Sequence, residues 1–165
     1  MSKASLTHGD DLSNDQRHAA SLIYIVGRVN QGIRSEMRLR LAEWNLSVQE
    51  YTTLSVLEAR PGLSNAQLAR RALIEAPSMI EILSKLEARG LVTRELDGDN
   101  GKIRRAHLTT RGEQLLEAAN PVVREIQDTM LATVPDHELE IVTRIMRGAM
   151  EHLSQHRRRK PRPIP

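Results

Sequence analysis

Residues 64–112 read SNAQLARRALIEAPSMIEILSKLEARGLVTRELDGDNGKIRRAHLTTRG. Ser64 and Gln67 have capping-box spacing, in which each side chain satisfies the other's free backbone N–H. A short helix therefore opens here and runs to about Ala72. Pro77 suits the first turn of a second helix, because its fixed φ is helical and its missing N–H is not needed there. Met79, Ile82, Leu83 and Leu86 recur with helical spacing and define the inward face of residues 76–89. Gly90 is the C-terminal stop. Leu91–Leu96 and Ile103–Leu108 pair as strands across Asp97-Gly98-Asp99-Asn100-Gly101, which supplies the turn chemistry. Helix, turn, helix and hairpin, in that order, make a winged helix-turn-helix. One helix fits the DNA major groove and the hairpin reaches the flanking backbone.

Working outward, Ser47 and Glu50 form another capping box for a helix at 48–59, ended by Pro61-Gly62. Upstream, Ser13 or Asn14 starts a long helix reaching about Glu43. Its apolar residues Leu22, Ile25, Val26, Val29, Ile33, Met37 and Leu41 follow helical spacing, weakened by Gly27 and Gly32. A helix so long implies an interface rather than an isolated element. Downstream, Thr110 and Glu113 have the spacing of a third capping box. The helix behind it carries Leu115, Leu116, Ala119, Val122, Val123, Ile126 and Met130 on one side, and Pro121 should kink it. Pro135 opens a last helix with Leu139, Val142, Met146, Ala149 and Leu153.

The composition narrows the function. Aromatics are 2% of 165 residues and Phe is absent, so the core must be aliphatic. With no Cys, disulfides, thiol switches and cysteine metal sites are excluded. His152 and His156 share a helical face but make too small a set for a metal site, and none is expected. No Gly-rich phosphate loop or Ser/His/Asp spacing is present, so neither catalysis nor a cofactor is expected. The N-terminus MSKASLTHGD lacks an apolar leader, and no apolar run approaches the roughly 18 residues of a membrane span. The expectation is a soluble, cytoplasmic protein that does not bind membranes. The net charge is +3, yet Arg157, Arg158, Arg159, Lys160 and Arg162 supply five positive charges, so the rest of the chain stands at −2. Affinity for DNA must therefore come from where charge sits, not from the net value. The basic tail either lies along phosphates or only solubilises the terminus.

Three stretches carry a family resemblance: LSVQEYTTLSVL (46–57), LARRALIEAPSMIEILSKLEARGLVTRE (68–95) and LTTRG (108–112). Together they resemble the MarR family of transcription regulators, of the SlyA-like type, over about residues 15–153. The resemblance implies a mainly α fold with a small β-hairpin wing, assembled as a helical homodimer. It divides the chain into a disordered N-terminus (1–12), an N-terminal dimerisation helix (13–45) and a winged helix-turn-helix lobe (46–109). C-terminal dimerisation helices (110–155) and a basic disordered tail (156–165) follow. The implied partners are double-stranded DNA with a pseudo-palindromic operator, a second copy of the chain, and a small phenolic or aromatic-acid effector that releases a repressor. The competing reading is a dimer of this type with degenerate DNA reading, serving as a protein-interaction module.

The outward face of 76–89 presents Pro77, Ser78, Glu81, Ser84, Lys85 and Ala88. Ser78 can donate to a base edge or phosphate, Lys85 suits phosphate, and Ile80 can touch a thymine methyl. Glu81 departs from the basic residue usual in the family. It either accepts from cytosine N4 and shifts the operator preference, or pairs with Lys85 at i, i+4. Ser64, Asn65 and Gln67 start the preceding helix beside the DNA backbone, followed by Arg70 and Arg71 on its exposed side. In the wing, Asn100-Gly101-Lys102 stands where the family has Asp-x-Arg. Lys102 lacks the planar fork of arginine, so minor-groove reading weakens and phosphate contact remains. Lys102, Arg104 and Arg105 are the wing's candidate contacts. In the family's layout Tyr24, Arg28 and Trp44 border the effector cleft, where rings and a cation suit an aromatic acid; the plainer alternative is that they pack the dimer base or the lobe.

Overall fold

The computed structural model describes residues 21–97 and 103–158. The start of the expected first helix, the wing tip with Asn100 and Lys102, and residues 159–165 of the basic tail lie outside them. A long helix α1 (Leu22–Leu41) passes through a 3-10 turn (Ala42–Trp44) into α2 (Val48–Ala59). Then come β1 (Leu63–Ser64), α3 (Asn65–Ala72), α4 (Ala76–Ala88), β2 (Val92–Leu96) and β3 (Arg104–Leu108). The last two helices are α5 (Thr110–Leu131) and α6 (Asp136–Arg158). Two compact units divide the chain inside α5, the first ending at Ile126 and the second beginning at Gln127. No helix among the described residues is long and apolar enough to cross a membrane.

Two of the three expected capping boxes form as read. The Ser47 hydroxyl accepts from the Glu50 N–H at 3.1 Å while the Glu50 carboxylate accepts from the Ser47 N–H at 2.8 Å. Ser64 and Gln67 repeat the exchange at 3.3 and 2.9 Å. The third does not form, and a single cap one residue earlier replaces it, because Gly112 has no side chain with which to close a box. Thr109, not Thr110, caps α5: its Oγ1 accepts from the Gly112 N–H at 3.0 Å and donates to the Gly90 carbonyl at 2.7 Å. One hydroxyl thus satisfies a free donor of α5 and a carbonyl at the exit of α4.

The sheet has a strand more than the hairpin read from the sequence. β3 lies between β1 and β2, antiparallel to both, with Leu63 opposite Ala106 and Arg94 also opposite Ala106. β1 holds two residues, too few to show an alternation, so periodicity could not reveal it. Gly62, at φ 74°, turns the chain into this strand and donates to the Ala106 carbonyl at 3.0 Å.

The core is aliphatic, as the composition requires. Leu41, Leu54, Leu57, Leu68, Leu83, Leu86, Leu91, Val92 and Leu116 are sealed from solvent with Met79. Each fully buried leucine contributes about 1.5–3 kcal/mol of transfer free energy. Leu116, Ala119 and Ile126 bring the first part of α5 into this same core, which is why the first unit extends beyond the wing. Thr53 is a buried polar residue, and its hydroxyl donates to the Gln49 carbonyl at 2.8 Å.

Two corners fix the direction of α4. Before it, α3 ends on Leu73 at φ 55° and ψ 40°, a left-handed conformation usually left to glycine. After it, Gly90 at φ 67° reverses the chain. Leu91 then donates to the Leu86 carbonyl at 2.9 Å, and its own carbonyl accepts from Thr109 at 3.1 Å. Gly112 lies so close that a Cβ there would sit 2.1 Å from the Leu91 oxygen. Backbone on both sides of that contact leaves nothing flexible to yield. Gly112→Ala is expected to lower stability by about 1–3 kcal/mol, the usual cost of overpacking. Urea unfolding followed by circular dichroism measures it.

Candidate nucleic-acid interface

The hydrophobic effect decides which way α4 faces. Met79, Ile82, Leu83 and Leu86 are buried, and Pro77, Ile80, Glu81, Ser84, Lys85 and Ala88 are exposed, with Ser78 half-buried. At about 100° per residue, Pro77, Glu81, Ser84 and Ala88 lie within about 30° of the direction opposite the buried side chains. Ser78 and Ile80 flank that line on its two sides, and Lys85 flanks it beside Ser78. The Ser84 hydroxyl donates to the Ile80 carbonyl of its own helix at 2.9 Å. Among the described residues, neither the Glu81 nor the Lys85 side chain takes part in an ion pair or hydrogen bond. The expected alternative of a Glu81–Lys85 pair is therefore not formed in this structure.

α3 presents a different chemistry. Ser64 and Gln67 are half-buried and engaged with each other in the capping box. Asn65 is half-buried as well, and its Oδ1 is a buried oxygen without a hydrogen-bond partner. Arg70 and Arg71, in the last turn, are exposed and form no ion pair among the described residues.

The arginines of the hairpin are not equivalent. Arg104 is exposed at the start of β3. Arg105, next to it, is half-buried and committed to partners within the lobe. It donates to an Asp97 carboxylate oxygen at 2.6 Å and to the Gly62 carbonyl at 2.9 Å. It thereby ties the root of the hairpin to the turn before β1, and the sequence alone could not distinguish it from Arg104. Arg94 on β2 binds the Glu87 carboxylate of α4. The Arg94 hydrogen bond, reinforced by its charge and that of Arg104, holds the Glu87 carboxyl below the ordinary glutamate range against the opposing effect of burial. These links set the hairpin's angle to α4.

Arg89 is a structural residue that the sequence reading missed. Its guanidinium donates to the Asn45 carbonyl at 2.9 Å and the Trp44 carbonyl at 3.3 Å, with Glu50 at 3.6 Å. Trp44 itself is half-buried and packs on the core. Tyr24 and Arg28 are exposed near the other end of α1. About 25 Å of helix separates Tyr24 from Leu41 at 1.5 Å per residue. A single small ligand cannot touch Tyr24 and Trp44 of the same chain, so the structure does not bring these three candidates together. Tyr51 is nearer to Trp44 in sequence, and its hydroxyl donates to Asn120 of α5 at 2.9 Å.

A helix-turn-helix with an open second helix and a tethered hairpin defines a winged-helix protein. Residues 44–103 match the model of the MarR family. The HTH-type transcriptional repressor Rv2887 of Mycobacterium tuberculosis is 37% identical over 113 residues, which are 68% of this chain and 81% of that one. A crystal structure of Rv2887 in complex with DNA gives a TM-score of 0.66 at 33% identity, covering 79% of this chain and 98% of that one. A second, with salicylic acid, gives a TM-score of 0.64 at 33% identity, covering 79% and 96%. The chain belongs to the MarR family, a family of transcriptional regulators rather than enzymes.

The contrast between the two adjacent arginines is measurable. Arg105→Ala removes an ion pair and a hydrogen bond to a carbonyl, partly screened by solvent, and is expected to cost about 1–2 kcal/mol of stability. Arg104→Ala should stay within about 0.5 kcal/mol of wild type. Chemical denaturation of the two variants side by side checks the order.

Proposed function

We propose that this protein is a homodimeric repressor that binds a pseudo-palindromic operator in double-stranded DNA in the cytoplasm. The observation that carries the reading is the open outward face of α4, with the hairpin fixed at its exit. The relative Rv2887, crystallised with DNA, supports it. Glu81 faces the major groove, with Pro77 and Ser84 along the same contact line and Ser78 and Lys85 flanking it. Ser64, Asn65, Gln67 and Arg70 lie against the phosphates, and Lys102 and Arg104 serve as wing contacts. Arg105 acts by holding the wing.

Dimer formation is supported by apolar side chains left in solvent within each unit. On α1 these are Leu22, Ile23, Ile25, Val26 and Val29; on α6 they include Ile145, Met150 and Leu153. Covering such rows with a second copy removes apolar surface from water. Two copies then place two α4 helices about 34 Å apart, one helical turn of DNA.

The salicylic acid complex of Rv2887 supports a phenolic-acid effector for this protein too. Release follows when the effector binds better to a lobe spacing that no longer fits one turn of DNA. Trp44 is the chain's single tryptophan. Salicylate is expected to quench its fluorescence saturably and to weaken operator binding over the same concentration range; titrations without either effect refute the effector.

Footprinting on the DNA upstream of the protein's own gene tests the regulator reading. A protected pseudo-palindrome, bound about 10³-fold or more tighter than competitor DNA, is expected. Salt-sensitive binding without preference overturns it.

A further inference from the structure

Resting on the operator-binding reading above, we infer that Glu81 is the base-reading residue at the centre of α4, and that the base it reads is cytosine. Four residues occupy the line opposite the buried face: Pro77, Glu81, Ser84 and Ala88. Pro77 and Ala88 carry no polar side-chain group. The Ser84 hydroxyl donates to its own helix. Glu81 alone on that line combines length with an uncommitted polar head. Its carboxylate is exposed and, among the described residues, has no ion-pair or hydrogen-bond partner, Lys85 included.

The chemistry of that head selects the base. An ionised carboxylate only accepts hydrogen bonds. In the major groove guanine shows N7 and O6, and thymine shows O4, all acceptors that repel it. Adenine offers its N6 amino group, but N7 stands beside it as another acceptor. Cytosine presents N4–H₂ with no acceptor of its own at that edge, and so is the base a carboxylate binds best. Lys85, one turn further on, lies off the central line toward one groove wall. Its charge can meet a phosphate there and offset the repulsion between the backbone and Glu81. Ile80, 52% exposed on the other side, gives the adjacent step an apolar contact suited to a thymine methyl. The operator half-site should therefore contain one fixed cytosine under Glu81.

Selection from randomised duplexes by the full-length wild type, Glu81→Gln and Glu81→Ala tests this. Circular dichroism confirms the fold of each variant, which an exposed position should preserve. Wild type is expected to select a pseudo-palindrome with one cytosine per half-site, and replacing it with guanine or thymine should weaken binding about 5- to 150-fold. Glutamine both donates and accepts, and should move the preference at that position to adenine. Alanine should equalise the four bases there alone. If all three proteins choose the same base at every position, Glu81 is not a reader, and the regulator reading stands without it. If wild type selects no palindrome, the regulator reading falls and the inference with it.

Discussion

The close approach of Gly112 to the Leu91 carbonyl is the constraint on which the lobe's outward geometry depends. Leu91 follows the glycine that ends α4, and its N–H and C=O are both used, by Leu86 and Thr109. Thr109 closes the arrangement from the other side, with one hydroxyl between Gly90 and Gly112. The exit of α4, the root of the hairpin and the start of α5 thus meet in a single joint made largely of backbone. Side chains can be replaced around such a joint, but a residue with a Cβ at position 112 forces the backbones apart. The direction of α4 and the position of the wing follow from it.

Within the lobe, positive charge is divided between holding and presenting. Arg89, Arg94 and Arg105 are tied to carbonyls and carboxylates, while Arg70, Arg71 and Arg104 are exposed without an ion pair among the described residues. The tied group uses the fork of the guanidinium, whose several donors can bridge two acceptors in fixed geometry. Arg89 spans the carbonyls of Trp44 and Asn45, and Arg105 spans Asp97 and Gly62. Counting basic residues therefore overstates the charge available to phosphates.

Much of the fold was legible because it rests on local chemistry. Two capping boxes, Pro77, Gly90 and the spacing of Met79, Ile82, Leu83 and Leu86 each act within one turn of chain, where spacing is informative. The misses all involve distant partners. Thr109 displaced Thr110 as a cap because its hydroxyl also reaches Gly90, 19 residues back. Arg105 and Arg104 are neighbours of the same type, and only the folded position of Gly62 and Asp97 separates their roles. β1 exists only through its pairing with β3. Tyr24 and Trp44 were grouped by type, yet a rigid helix holds them apart. For the interface itself, the periodicity of α4 gave the outward residues, but whether Glu81 was free or paired needed coordinates.

Leu73 gives the turn between α3 and α4 an unusual character. Its side chain is 77% exposed, so packing does not compel a leucine there. Glycine at such a corner has a broad basin on both sides of φ = 0, whereas a residue with a Cβ has a narrow left-handed well bounded by steep walls. The corner is consequently stiff. While Leu73 keeps this conformation, the angle between α3 and α4 has little room to vary, and the two helices hold their exposed faces in one fixed relation.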